Sequence, residues 1–253
     1  FIEYENLCNE VFGNLGSGNT AQAREALERI SLSQDFVQKA EVIFSNSKNM
    51  YALMNAGTSL TKVITDYWTS YSNDQKLQIR DFVLEYLIKH GSELPTYLVT
   101  CLSALICRIT SLSWMTDQRQ RNILNQMLEY TQSREHCILA LQVLEELVNQ
   151  INPNKRSKVN ENKTAIQFRD SNLMNIIGLA FNMLSDTFQA DDSTVGSPEL
   201  RIKLFQYSLQ LLLRCFAFYC KLSNTESSSE NLPVMLLPED WLTTIITTNH
   251  ISL

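Results

Sequence analysis

Apolar residues recur along most of this chain at intervals of three and four positions, the spacing of one face of an α-helix. The pattern is clearest from Asn49 to Tyr71, where Leu53, Leu60 and Ile64 share a face. Polar residues occupy the opposite face of the same stretch. The pattern therefore predicts a long amphipathic helix with one buried side.

Two further helices follow in the same pattern. One is predicted from Asp74 to His90, with Gly91 as a left-handed stop. The other opens after Pro95, whose missing N–H costs nothing in a first helical turn. Its buried stripe is predicted to be Leu98, Leu102, Leu105, Ile109 and Leu112.

The predicted helices group into pairs that recur at a regular interval. Pairs are expected to start near Ile2, Ser33, Asp74 and Asp117, so the last three starts are 41 and 43 residues apart. Helical hairpins of the HEAT type repeat at about 40 to 47 residues. The sequence therefore predicts an all-α fold, an α-α superhelix in which about five hairpins form a right-handed solenoid without a β-sheet.

The domain organisation is predicted from breaks in this pattern. Residues 1–151 are expected to form the amino-terminal HEAT repeats, and residues 152–253 to hold further helices of the same type. The segment 152–163 is rich in Lys and Asn and predicts a polar exposed loop. The segment 223–231 is acidic and Ser-rich, which predicts a mobile loop.

Three helices are predicted beyond residue 163. The first runs from Ser171 to Phe188 and the second from Pro198 to Lys221. The second is apolar nearly all round, so we expect it to be covered on several sides. The third begins at Pro238.

Composition narrows the classes of function. The chain has 253 residues, 44% of them hydrophobic, and a formal net charge of -6, which argues against nucleic acid as a partner because phosphates need a basic face. No run of 18 apolar residues predicts a membrane span. The chain begins at Phe1 without a leader, so we expect part of a longer protein that is not secreted.

The residues that carry chemistry are dispersed. The six cysteines form no Cys-x-x-Cys pair and are predicted to be buried free thiols without a metal. His90, His136 and His250 fall near predicted helix ends, and the adjacent Glu145 and Glu146 diverge on a helix. The phosphate loop, the Gly-x-Ser-x-Gly elbow and the His-Glu-x-x-His helix are absent. The sequence therefore predicts neither an enzyme nor a cofactor.

Several segments together resemble a known family. The runs TAQAREAL (20–27), SLTKVIT (59–65), LQIRDFVLEYL (77–87), LSALICRITSLSW (102–114) and FRDSNLMNI (168–176) are similar to the amino-terminal HEAT region of importin-β-type nuclear transport receptors. The order of these segments covers nearly the whole chain. Within that superfamily the resemblance is to exportins.

The resemblance implies a function and a set of partners. It implies an exportin fragment that binds the GTP form of the small GTPase Ran through its amino-terminal repeats, takes up protein cargo and meets nuclear pore proteins. Such a receptor shuttles between nucleus and cytoplasm, with no part for nucleic acid or membrane. A generic HEAT-repeat scaffold and a regulatory subunit are the alternatives.

The resemblance also places the Ran contact. In a solenoid of hairpins the second helix of each pair lines the inner surface, so polar residues there are the candidates. Lys62 and Asp66 stand four residues apart and are the first to test. The full set of candidate contacts is Ser59, Lys62 and Asp66 on one helix, Thr100, Ser103 and Cys107 on the next, and Gln142, Glu145 and Asn149 on the fourth pair.

Overall fold

Every regular element in the described part of the chain is helical. The computed structural model describes residues 1–13, 20–152, 159–189 and 197–218, and it contains no strand within them. The all-α helical-repeat class predicted from the sequence is therefore confirmed. The helices are α1 Ile2–Cys8, α2 Thr20–Ser31, α3 Phe36–Asn46, α4 Met50–Asp66, α5 Asn73–His90, α6 Thr96–Ser113, α7 Ile123–Tyr130, α8 Cys137–Ile151, α9 Val159–Phe168, α10 Met174–Gln189 and α11 Pro198–Phe216.

Four short turns of non-α helix connect or extend these elements. Two are π turns, Asn9–Gly13 after α1 and Arg169–Leu173 between α9 and α10. Two are 3₁₀ turns, Trp68–Ser70 after α4 and Gln118–Asn122 before α7. Because α9, the π turn and α10 follow one another without a gap, they form one continuous helical stretch.

The chain divides into two compact units, Phe1–Ile123 and Leu124–Leu253. The first unit contains three helical pairs, α1 with α2, α3 with α4, and α5 with α6. The second helices of these pairs also pack on one another, α2 against α4 and α4 against α6. The predicted division after residue 151 and the predicted handedness of the stack stay predictions.

The helices of the first unit begin and end at capping groups that the sequence supplies. The Asn49 side chain accepts hydrogen bonds from the N–H groups of Tyr51 and Ala52 and so starts α4. Ser72 and Gln75 form a reciprocal capping box at the start of α5. The prediction of a left-handed Gly91 is wrong, because its φ of -56° and ψ of -33° are right-handed. The chain instead continues into a turn in which the Glu93 N–H donates to the His90 carbonyl at 2.9 Å.

The core of the first unit confirms the predicted stripe of α6. Leu98, Leu102, Leu105 and Ile109 have no exposed surface, whereas Leu112 is half-buried. This helix is long and apolar enough, by length and composition alone, to cross a membrane. Its apolar side chains pack instead against α4 and α5, and a buried core helix passes the same test.

The α4 helix approaches α6 closely at Gly57. A Cβ atom at this position would lie 3.1 Å from both Cys101 Sγ and Leu102 Cδ2, tighter than ordinary van der Waals contact. Only a hydrogen in place of a side chain fits here without movement of the neighbours. Gly57 therefore fixes how near the two helices lie and which of their residues are level.

The second unit is built around α11, which packs against α8 and α10, while α9 packs against α8. The predicted polar loop 152–163 is partly wrong, because α9 begins at Val159 and buries Thr164, Ala165 and Phe168 on one face. Residues 153–158 lie outside the described residues. So do the predicted loop 223–231 and the predicted helix from Pro238.

The prediction that the helix from Pro198 is covered on several sides is also wrong. In α11 only the face with Ser208, Leu211, Leu212 and Cys215 is buried. Leu209 and Leu213 keep 41% and 61% of their surface exposed. The described helix ends at Phe216, and the predicted end at Lys221 lies outside the described residues.

Candidate partner-binding surface

The outward face of α4 carries hydroxyl side chains that bond to their own helix. Thr58 donates to the Met54 carbonyl at 3.0 Å, and Thr65 donates to the Thr61 carbonyl at 2.8 Å. Such bonds satisfy the hydroxyl locally. The two charged residues of this face, Lys62 and Asp66, are therefore the groups best able to contact a partner.

Lys62 and Asp66 are both exposed, as the sequence predicts. They lie four residues apart, yet no ion pair or hydrogen bond joins either of them to another described residue within bonding distance. Ser59, named with them as a candidate contact, is 8% exposed and so lies at the buried edge of the helix. The candidate surface of α4 is thus narrower than predicted.

Two candidate contacts on α6 are buried, which corrects their predicted place on an open polar row. Ser103 is 2% exposed and Cys107 has no exposed surface. The reason is that most of the circumference of α6 is packed, so its small polar residues lie inside with its leucines. Thr100 is exposed, and its hydroxyl donates to the Thr96 carbonyl at 2.9 Å.

The strip of α6 that does reach the surface is rotated from the predicted row. It contains Tyr97, Cys101, Ala104 and Arg108, each exposed or half-buried. Sequence reasoning missed Arg108, although it is the one charged residue between Thr96 and Ser113. A single charge in an apolar helix marks the side that solvent can reach, because an unpaired buried charge is costly.

The strips of α4 and α6 lie side by side. Gly57 of α4 is level with Cys101 and Leu102 of α6. Both helices are the second members of their hairpins and so run in the same direction, with the same rise of about 1.5 Å per residue. Tyr51 is therefore level with the start of α6 near Tyr97, and Lys62 is level with the turn that contains Arg108. We call Tyr51 and Lys62 of α4, together with Tyr97 and Arg108 of α6, the paired strip.

Two other cations of the first unit, Arg80 and Arg119, are already engaged. Arg80 is 2% exposed and donates to the Gln120 carbonyl at 2.9 Å as well as to Asp81. Arg119 bridges Asp74 and Asp117, which raises the pKa of the guanidinium and lowers that of Asp117. These contacts tie the 3₁₀ turn Gln118–Asn122 to α5, and their role is structural.

The candidate residues on α8 bind within their own unit. The Gln142 amide donates to the Tyr207 hydroxyl at 2.9 Å, and Glu145 pairs with Arg214 at 2.9 Å, so both connect α8 to α11. Asn149 is exposed and donates to Glu146 at 3.4 Å. Gln142 and Glu145 are half-buried, which gives them a packing role before any role in binding.

The second unit has a depression of about 480 Å³ beside the start of α8. The residues that line it include Arg134, Cys137, Asn182, Asp186 and Leu204. Burial raises the pKa of the Cys137 thiol to about 11, so the thiol stays protonated near neutral pH and is a poor nucleophile. Within the described residues, no group of three or more His, Cys, Asp or Glu side chains is arranged to hold a metal ion.

Comparison with known proteins identifies the amino-terminal part. Residues 23–89 match the Importin-beta N-terminal domain. The amino-terminal part of the chain is therefore similar to that domain. The match includes all of α3 and α4 and all of α5 but its last residue, and therefore contains Lys62 and Asp66 of the candidate surface.

Known proteins similar to this chain align along nearly its whole length. It is 26% identical to Exportin-7-B of Xenopus laevis over 99% of the chain and 24% of the relative. It is 25% identical to Ran-binding protein 17 of Homo sapiens over 95% of the chain and 22% of the relative. With Ran-binding protein 16 of Drosophila melanogaster the identity is 24%, over 99% of the chain and 23% of the relative.

These matches support a nuclear transport receptor family, and they confirm the importin-β and exportin resemblance predicted from the sequence. The names of these relatives, exportins and Ran-binding proteins, describe transport and Ran binding. The chain spans about a quarter of the length of the curated relatives it matches. The activity and the partners of a whole receptor are therefore matters of proposal for this chain.

Proposed function

We propose that this chain is the amino-terminal part of an exportin-type transport receptor that binds Ran in its GTP form. Such a receptor carries protein cargo, meets nuclear pore proteins and moves between the nucleus and the cytoplasm. The proposal is supported by the importin-beta N-terminal domain at residues 23–89 and by relatives named as exportins and Ran-binding proteins.

One structural observation supports assigning the Ran contact to particular residues. Lys62 and Asp66 project together from α4, inside the matched domain, and neither is engaged by another described residue. An adjacent positive and negative charge on a rigid helix suits a protein partner whose surface also carries both signs. We assign these two residues to the Ran contact, with Thr100 at the neighbouring edge of α6.

The test compares a double variant with a matched control. Lys62→Ala with Asp66→Ala should weaken binding to Ran-GTP, and more so at low salt, because exposed charges act over a distance that salt shortens. Glu85→Ala with Lys89→Ala removes an equally spaced, exposed pair from α5 and should leave binding unchanged. Affinity is measured at two salt concentrations for each protein, and circular dichroism checks that helicity is retained.

The same measurement separates the alternatives. If wild-type chain binds Ran-GTP and Ran-GDP equally, the receptor proposal fails and a generic HEAT-repeat scaffold or regulatory subunit is favoured. If the chain selects Ran-GTP but both double variants bind as the wild type does, Ran-GTP contacts another surface. In that outcome the receptor proposal stands, and the assignment of Lys62 and Asp66 to the Ran contact is wrong.

A further inference from the structure

The paired strip combines two tyrosines and two cations at matching heights. Tyr51 and Tyr97 are the second residues of α4 and α6, and they keep 48% and 51% of their surface exposed. Aromatic side chains this exposed are favourable contact groups, because each offers a large rigid face at a low entropy cost. The Tyr51 ring already stacks on Phe12 at 6.2 Å, which extends the aromatic end of the strip.

The opposite end of the strip is basic. Lys62 and Arg108 lie on adjacent helices at the same height, and neither forms an ion pair with a described carboxylate. Asp66 is the acidic residue nearest along the chain, one helical turn beyond Lys62. It can offset part of the charge of Lys62, and α6 offers no carboxylate to Arg108. The two cations therefore attract an anionic group.

The surface between the two ends is uncharged. On α6 it consists of Cys101 and Ala104, and on α4 it includes Thr58, whose hydroxyl bonds back to its own helix. On α4 the half-buried Met54 and Asn55 lie in the same interval, and no charged residue stands between the tyrosines and the cations on either helix. A polypeptide segment can therefore lie along the strip and contact both ends at once.

We propose that the paired strip binds an acidic segment of a protein partner that also carries an aromatic or other large apolar side chain. Eleven residues separate Tyr51 from Lys62, which is about 16 Å along the helix axis. An extended chain covers that distance in about five residues. The partner segment therefore has its apolar side chain about five residues from its carboxylates. This inference rests on the proposed function only in requiring that this face bind a protein partner.

The test uses a synthetic probe because the partner is identified only by its chemistry. The probe is a fluorescein-labelled Gly-Ser peptide with one Phe and, about five residues later, a pair of Glu. Two reference peptides replace the Glu pair by Gln or the Phe by Ser. Binding to the full 253-residue chain is measured by fluorescence anisotropy. We expect the complete probe to bind more tightly than either reference peptide, because each reference peptide loses the contact at one end of the strip.

Variants then locate the probe on the molecule. Lys62→Glu with Arg108→Gln should weaken binding of the complete probe by about tenfold or more, since both attractive charges are lost. Tyr97→Ser should weaken the complete probe and leave the Ser reference peptide unchanged. Lys89→Glu, the matched control on α5, should behave as the wild type. Arg108→Gln is used because a negative charge at this half-buried site could disturb folding.

The outcomes separate this inference from the receptor proposal. Absence of probe binding to the wild type, or equal loss of binding in Lys89→Glu, overturns the acidic-segment inference. Ran-GTP and Ran-GDP are measured with the same protein preparations. Selective binding of Ran-GTP without probe binding would remove only this inference, whereas probe binding without nucleotide selectivity would remove only the receptor proposal.

Discussion

At the scale of single residues, burial in α6 explains where sequence reasoning succeeded and where it failed. The leucine stripe was predictable because its members recur at helical intervals, and Leu98, Leu102 and Leu105 are fully buried. Ser103 and Cys107 were misplaced because polarity was taken as a sign of exposure. A helix packed on most sides encloses small polar residues too, and only Arg108 is too costly to enclose unpaired.

The Leu105→Ala substitution tests the centre of this core. Leu105 has no exposed surface, so its truncation removes buried apolar contacts and leaves a cavity. We expect the free energy of unfolding to fall by about 2 to 5 kcal/mol. Chemical denaturation followed by circular dichroism measures it, with exposed Val42→Ala on α3 as a control that should change little. Coincident midpoints for Leu105→Ala and wild type would contradict this placement.

Buried thiols predict a loss of stability in alkali. Burial raises the pKa of Cys8 from an ordinary 9.0 to about 12. Below pH 9 the thiol is protonated in both the folded and unfolded chain, so stability is unaffected. Between pH 9 and about 12 the unfolded chain releases the proton while the folded chain retains it, so the free energy of unfolding falls as pH rises. One such group contributes a slope of about 1.4 kcal/mol per pH unit.

The Cys8→Ala variant isolates that contribution. It should reduce the slope of unfolding free energy against pH above pH 9 by about 1.4 kcal/mol per pH unit, while the buried Cys215 and Tyr4 keep their own contributions. Denaturant titrations at a series of alkaline pH values give the slope. The same slope in wild type and variant would show that Cys8 is not buried as a protonated thiol.

At the scale of helices, the sequence predicted the starts of α4 and α5 to within one residue but not the contacts between helices. Asn49 and the Ser72–Gln75 pair stand where sequence preferences place helix starts. The start of α9 at Val159 was missed because its polar, Lys- and Asn-rich sequence looks like a loop until the buried face of Thr164, Ala165 and Phe168 is known. Such a helix is stabilised by packing against residues that are distant in sequence, and the local sequence pattern does not show which residues those are.

Substitutions at Gly57 test how closely α4 and α6 approach each other. Gly57→Val should lower the free energy of unfolding by about 1 to 3 kcal/mol, because its methyl groups would enter space held by Cys101 and Leu102. Gly57→Ala should cost less, since better helix propensity offsets the tight Cβ contact by up to about 1 kcal/mol. Gly178→Ala on α10 is the control, because a Cβ there meets no atom within 4 Å. Equal effects of Gly57→Ala and Gly178→Ala would argue against a close approach of α4 and α6 at Gly57.

At the scale of the whole molecule, the repeat interval predicted the class of fold, since hairpins of similar length follow one another through the described residues. The partition into units Phe1–Ile123 and Leu124–Leu253 was not predictable from the sequence. The interval indicates that hairpins recur, but it carries no information on where the chain divides into units. The partner was suggested by resemblance and not by periodicity, because any helical repeat shares the period.

Binding of Ran-GTP should be visible in the stability of the whole chain. A ligand that binds only the folded state at about one hundred times its Kd adds about 2.7 kcal/mol. For a chain of this size that corresponds to an increase in Tm of roughly 5 to 10 °C. Differential scanning fluorimetry with Ran-GTP, and with Ran-GDP as control, measures the shift. An equal shift with both nucleotide states would contradict selective binding.

The position of Cys101 has a consequence for covalent labelling. Among the cysteines of the described residues, Cys8, Cys107, Cys137 and Cys215 are buried and only Cys101 is half-exposed. Burial raises the pKa of its thiol, so a maleimide reagent reacts with it slowly, yet sooner than with its enclosed counterparts. Because Cys101 lies midway along the paired strip, a fluorophore attached there reads local occupancy directly. A fluorophore on Cys101 would therefore report the binding of a partner to the paired strip.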